Sequence, residues 1–192
     1  MLSPSEITGV VLAGGKSSRF GSNKALSQFD GKSFLLNSIE ILKPFSKEVV
    51  VSGNYSEYDE LEIPVLEDVI SGIGPVGGIL TALRYSSTAW ILVLTCDMPL
   101  ITPEIIGHML RANSRDDIIG WSRDGNGGQF PLLVSKNALP FIKHNIEKKR
   151  YRVKQLFDLE NSLQLAIPEK WRRHFANINT LNDYKEITAC TQ

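Results

Sequence analysis

The chain has 192 residues, enough to bury a sizeable core in one domain, and its 21 Lys and Arg against 21 Asp and Glu leave no formal net charge at pH 7. That balance excludes the global basic field of a nucleic-acid or anionic-membrane binder, so an anionic ligand must be met by local cations. Cys96 and Cys190 give neither a metal-ligand spacing nor a disulfide framework, the opening MLSPSEITG is no secretory signal, and no apolar run reaches a membrane span, so the expected compartment is a reducing cytoplasm.

No repeat, low-complexity tract or linker divides the chain, and residues 1–192 read as a single domain. The first element is a buried strand at Val10, Val11 and Leu12, ended by Ala13-Gly14-Gly15 and followed by a loop to Lys24 that holds two serines, Arg19 and another glycine. Glycines let the backbone approach an anion, N–H groups nest phosphate oxygens, and Arg19 and Lys24 can offset polyphosphate charge. The loop is no Walker A sequence, because Gly15 stands where GxxxxGK[ST] requires lysine. The GxGxxG spacing at Gly72, Gly74 and Gly77 is interrupted by Pro75 and follows no strand directly, which argues against a dinucleotide site.

Residues 34–42 predict a helix stopped by Pro44, residues 48–52 a second strand ended by Gly53-Asn54, and residues 64–67 a short third strand followed by Asp68. Gly72 to Gly78 then introduce a helix running to about Tyr85. Residues 90–95, WILVLT, are the longest apolar run and predict a central strand ending in Cys96-Asp97-Met98-Pro99. A carboxylate at a buried strand end is costly unless a cation meets it, and Thr102 already caps the next helix, 103–110, which leaves Asp97 for chemistry.

Residues 117–121 and 130–134 predict a strand pair around the turn signals Asp124 to Gly128. A helix over 139–146 leads into the basic run 147–152, which is either a solvated face or a phosphate contact through Arg150 and Arg152. Residues 163–167 alternate as an edge strand does, and 181–187 predict a short helix capped by Thr180 or Asn179. His108, His144 and His174 are dispersed and have no metal spacing. Strands alternating with helices, with glycine-rich or acidic turns after strands, predict a three-layer α/β/α domain with a mostly parallel sheet.

The stretch LAGGKSSRFGSNK resembles the signature loop LAGGxSxRxGxxK of GT-A-like nucleotidyltransferases, and within them the chain is most similar to the molybdenum cofactor guanylyltransferases. The likeness extends from Leu12 to about Tyr184 and implies a Rossmann-like sheet with an antiparallel element beside the second substrate. It implies a nucleotide site at Leu12, Ala13, Gly14, Gly15 and Lys24, with Asn54, or Ser52 after a small shift, at the second strand end. Asp68 and the GPxxG element ending at Gly78 would complete that site, and Asp97 in CDMP would be the Mg²⁺ ligand. Gln129-Phe130-Pro131 is a looser match beside the second substrate, and Asn177 and Asn179 of NINT keep their places although Leu181-Asn182-Asp183 replaces the usual Pro-Glu-Asp.

The implied reaction is transfer of GMP from GTP to molybdopterin, free or molybdenum-bound, with release of pyrophosphate. Arg19, Lys24 and Asp97 would be the catalytic residues. Other cofactor-biosynthesis proteins and apo-molybdoenzymes are the further implied partners, with no nucleic acid and no membrane. Two rivals stand beside this reading. A cytidylyltransferase for the same pterin would usually carry AAG and GDxP where this chain has Ala13-Gly14-Gly15 and Cys96-Asp97-Met98-Pro99. A non-catalytic nucleotide-binding carrier would have little use for both Lys24 and Asp97.

Overall fold

The computed structural model describes residues 2–14, 23–53, 58, 62–112 and 116–189. Its centre is β1 (Ile7–Leu12), buried at every position, with β4 (Glu48–Ser52) parallel on one side and β6 (Trp90–Thr95) parallel on the other. A strand buried on both faces needs no polar alternation, which is why these segments read as continuous apolar runs. Beyond β4 lies the two-residue strand β5 (Val65–Leu66), shorter than the expected 64–67. Beyond β6 come β8 (Asn126–Ser135), β7 (Ile118–Arg123) and, at the edge, β9 (Ser162–Ala166), giving the order β5-β4-β1-β6-β8-β7-β9. Among the described residues β8 alone runs against the others, so the sheet is mostly parallel with an antiparallel element, as expected.

Two glycines assign the helices to faces. A Cβ on Gly9 would lie 3.2 Å from Leu42 of α1 (Phe34–Leu42), whereas one on Gly78 of α2 (Pro75–Tyr85) would lie 2.7 Å from the Leu12 side chain. Gly9 and Leu12 are three apart on one strand and point to opposite faces, so α1 and α2 cover opposite sides and the domain has three layers. Asn37 of α1 donates to the carbonyl of Pro99 at 3.0 Å, just before α3 (Pro103–Ala112), whose His108 ring stacks 5.9 Å from Trp121. The opposite face of β7, at Gly120, carries Phe157 from the 3-10 helix Val153–Asp158, which follows α4 (Leu139–Glu147). At the C-terminus α5 (Leu181–Ala189) brings Tyr184 within 6.1 Å of the Phe34 ring.

Three local features differ from the sequence reading. The turn expected over 124–128 is only Asp124-Gly125, with φ of 52° and 80°, the paired positive values of a two-residue hairpin turn. Gly127 and Gly128 instead belong to β8, where a Cβ would meet Gln164 or the Lys154 backbone. A second small hairpin, β2 (Gln28–Phe29) with β3 (Lys32–Ser33), turns on Asp30-Gly31, again at positive φ, and went unread although Asp-Gly signals it. The 3-10 helix Glu169–Phe175 also went unread, because its buried Trp171 and Phe175 follow no period long enough to register.

Candidate active site

Four strand ends are flush. Leu66, Ser52, Leu12 and Thr95 are register partners in one row, and the ladder continues one residue further through Gly53 N–H to Leu66 O, Ala13 N–H to Ser52 O and Cys96 N–H to Leu12 O. The chain leaves β1 toward β4 and β5 and returns to β6 on the other side, so the connections diverge between β1 and β6 and open a crevice above their ends. Ala13-Gly14 and Cys96-Asp97 stand at that crevice.

On the β1 side, a Cβ on Gly14 would meet only the Gly53 Cα at 3.7 Å and Ser52 O at 3.8 Å among the described residues, ordinary contacts that leave room for a close ligand. Tyr58 is fully buried, and its hydroxyl lies 3.0 Å from Ala13 O and 3.1 Å from Asn23 Oδ1, which ties the two ends of the glycine loop together. On β4, the buried Ser52 hydroxyl donates to Asp68 Oδ1 at 2.8 Å and so aims that carboxylate along the same edge. Gly78 is buried beneath Ser52 and Leu12 and serves the site from below by letting α2 approach the sheet. Gly15, Arg19 and Asn54 lie outside the described residues.

On the β6 side, Lys24 Nζ stands 3.3 Å from Asp97 Oδ2, 2.7 Å from Ile178 O and 3.4 Å from Asn179 Oδ1. One ammonium therefore joins the signature loop, the CDMP turn and the NINT element, the last of which is also held by Ile178 N–H to Asp97 O at 2.9 Å. Asp97 Oδ1 is buried and has no hydrogen-bond partner among the described residues, as an oxygen left for a cation would. No group of three His, Cys, Asp or Glu able to hold a metal occurs among the described residues, so Asp97 would need waters and substrate phosphates to complete a magnesium shell. Burial first, and the Asp97 charge second, push the Cys96 thiol up to about 12, which leaves no thiolate for nucleophilic work at neutral pH.

Beside Asp97 a pocket of about 450 Å³ begins at Met98. Gln129 and Phe130 of β8 form one wall, Phe175, Ala176 and Asn177 another, and Arg123 at the end of β7 closes it. Asn177 and Gln129, both read from the sequence as second-substrate candidates, line this one pocket, and Asn179 sits on Lys24. Arg150 and Arg152 do not line this pocket: Arg150 is paired with Asp158, and Arg152 opens the helical turn Val153–Asp158. Arg123, Ser52 and Tyr58 contribute to the edge and its supports through contacts distant in sequence. Of the three, Ser52 is the alternative to Asn54 already named from the sequence, Arg123 carries a local hint as a cation directly before an Asp-Gly turn, and Tyr58 carries none.

Comparison with known proteins identifies the family and the fold. Residues 9–163 match the family model of the MobA-like NTP transferase domain. A protein of Thermococcus sibiricus named "Probable molybdenum cofactor guanylyltransferase" is 33% identical over 96% of this chain and 98% of its own, and one of the same name from Flavobacterium johnsoniae is 31% identical over 94% and 96%. A solved structure from Aquifex aeolicus superposes with a TM-score of 0.77 at 29% identity, covering 93% of this chain and 96% of that one. The molybdopterin-guanine dinucleotide biosynthesis protein A of Archaeoglobus fulgidus, at 23% identity and a TM-score of 0.75 over 96% and 98%, shares the fold. The family model spans most of the chain and the relatives span nearly all of it, and on that ground this chain belongs to the family of the MobA-like NTP transferase domain.

Proposed function

We infer that this protein transfers GMP from GTP to the terminal phosphate of molybdopterin, free or molybdenum-bound, and releases pyrophosphate. The carrying observation is the Lys24–Asp97 pair, with its unpartnered Asp97 oxygen, placed between the glycine-loop end and a separate pocket beginning at Met98. One site can hold a triphosphate while the other holds an acceptor.

A phosphate oxygen of the acceptor attacks the α-phosphorus. The bond to the bridging oxygen of the β-phosphate breaks, and pyrophosphate leaves with the electron pair. An anion attacking an anion needs neutralisation and alignment more than a base. Lys24, with Arg19 of the loop, supplies the positive charge, and Gly14 and Gly15 admit the phosphates closely. Asp68, aimed by Ser52, and Asn54 hold the nucleoside, while Asn177 and Asn179 hold the acceptor. Mg²⁺ at Asp97 Oδ1 would add charge neutralisation and orient the phosphate oxygens. The setting of this reaction is the cytoplasm, where the buried Cys96 thiol stays reduced.

The test is pyrophosphate release from GTP that depends on both Mg²⁺ and added molybdopterin, with CTP and ATP in parallel. Release from CTP in preference to GTP would make the protein a cytidylyltransferase, and tight GTP binding without release would make it a carrier.

A further inference from the structure

We propose that Arg123 is the oxyanion-binding residue of the acceptor pocket, a role that rests on the guanylyl-transfer reading for the identity of its ligand. Arg123 ends β7 and lines the 450 Å³ pocket together with Met98 and Asn177. Among the described residues its side chain makes one hydrogen bond, from Nη2 to the carbonyl of Arg172 at 2.8 Å, a neutral acceptor that orients the guanidinium without cancelling its charge. Its Nε is buried with no hydrogen-bond partner. Buried donors are ordinarily satisfied, and the guanidinium of Arg123, which lines the pocket, has no carboxylate among the described residues to take its remaining donors.

The neighbouring carboxylates are already engaged. Asp124, next in sequence, bonds Arg172 Nη2 at 2.7 Å, and Glu169 bonds Arg172 Nε at 2.8 Å. Arg172 therefore takes both carboxylates as its direct partners, and no carboxylate lies within ion-pairing distance of Arg123 among the described residues. A guanidinium with no direct carboxylate partner favours an anion over a neutral carbonyl, and its fork matches a tetrahedral oxyanion. The other walls suit the rest of such a ligand, with Phe130 and Phe175 adding apolar ring surface to the lining. Two sources of oxyanion exist on the acceptor: its phosphate, and the metal–oxygen end of the molybdenum-bound form.

Steady-state kinetics of wild type, Arg123→Ala and Arg123→Lys decide the matter, with molybdopterin and its molybdenum-loaded form as separate acceptors. Loss of a charge-assisted hydrogen bond should raise the acceptor KM of Arg123→Ala about tenfold or more while the GTP KM stays within about twofold. Arg123→Lys, which keeps the charge and loses the fork, should fall between. A rise for both acceptors assigns the phosphate, and a rise confined to the loaded form assigns the metal–oxygen end. An unchanged acceptor KM, or a parallel rise for GTP, overturns the proposal.

A second measurement does not depend on turnover. With GTP saturating the first site and Mg²⁺ omitted, calorimetric titration with inorganic phosphate and with molybdate should detect an anion site in wild type that Arg123→Ala lacks. Equal binding to both proteins, with Arg123→Ala retaining its melting temperature, overturns the role of Arg123. Failure of wild type to release pyrophosphate in the presence of molybdopterin would instead discard the guanylyl-transfer reading and leave the titration to judge Arg123.

Discussion

Asp97 and Lys24 are each only partly accessible, and they divide two tasks that a motif alone assigns to one cluster. Asp97 gives Oδ2 to Lys24 and keeps Oδ1 unpartnered, so Asp97→Asn preserves shape and removes the charge that a divalent ion requires. Metal stabilisation of phosphoryl charge is worth several kcal/mol, so Mg²⁺-dependent turnover should fall about a hundredfold or more while GTP affinity measured without metal survives. Unchanged turnover at saturating Mg²⁺ would remove Asp97 from the metal role. Lys24→Ala should weaken GTP far more than guanosine, by about 1.5–3 kcal/mol for one charge-assisted phosphate contact. Equal losses for both ligands, measured by calorimetry, would mean that Lys24 acts only as the tie between Asp97 and Asn179. These two residues were legible beforehand because short motifs carry them. Arg123 was not, because its meaning depends on Arg172 having taken Asp124 and Glu169.

At the scale of elements, α2 meets the sheet closely enough that a side chain at Gly78 has no room. A Cβ there would sit 2.6 Å from Ser52 Oγ and 2.7 Å from Leu12 Cδ2. Gly78→Ala gains up to about 1 kcal/mol of helix propensity, but overpacking costs about 1–3 kcal/mol and Ser52 is already committed to Asp68. The variant should therefore melt a few degrees lower and bind GTP more weakly, since Ser52 must carry Asp68 with it. An unchanged melting temperature would show that α2 can retreat. At the other end, α5 is capped reciprocally: Thr180 Oγ1 accepts from Asp183 N–H, and Asp183 accepts from the N–H groups of Asn179 and Thr180. Those bonds, led by the Asn179 N–H, hold the Asp183 carboxyl below its ordinary 3.8. A lowered folded-state value means that the cap stabilises fully above 3.8 and is lost as pH falls through the folded value. The melting temperatures of wild type and Asp183→Asn should accordingly differ near neutrality and converge in acid. A constant difference across that range would contradict the cap. In the sequence, Leu181-Asn182-Asp183 reads only as a departure from Pro-Glu-Asp that keeps the final aspartate. The structure shows that the shared aspartate does the capping and that Pro-Glu is dispensable for it.

For the whole molecule, sequence alone specified the layers. Continuous apolar runs at β1, β4 and β6 require burial on both faces, helices must follow to cover them, and glycine or aspartate after each strand marks the edge where ligands bind. Each of those signals is local, carried by residues within a few positions of one another. Tertiary structure decided which local ends meet. Flush register across β5, β4, β1 and β6 aligns their turns, and the return of the chain to β6 places Asp97 across from the glycine loop. Lys24 finds Asp97 at 73 positions' distance and Asn179 at 155, Tyr58 meets both Ala13 and Asn23, and the hairpin of β7 and β8 brings Arg123 into one pocket with Phe175 and Asn177. Such meetings depend on strand order and crossover, and no periodicity in the chain encodes them, because a periodic pattern reports which face a residue occupies and is silent on what that face will meet.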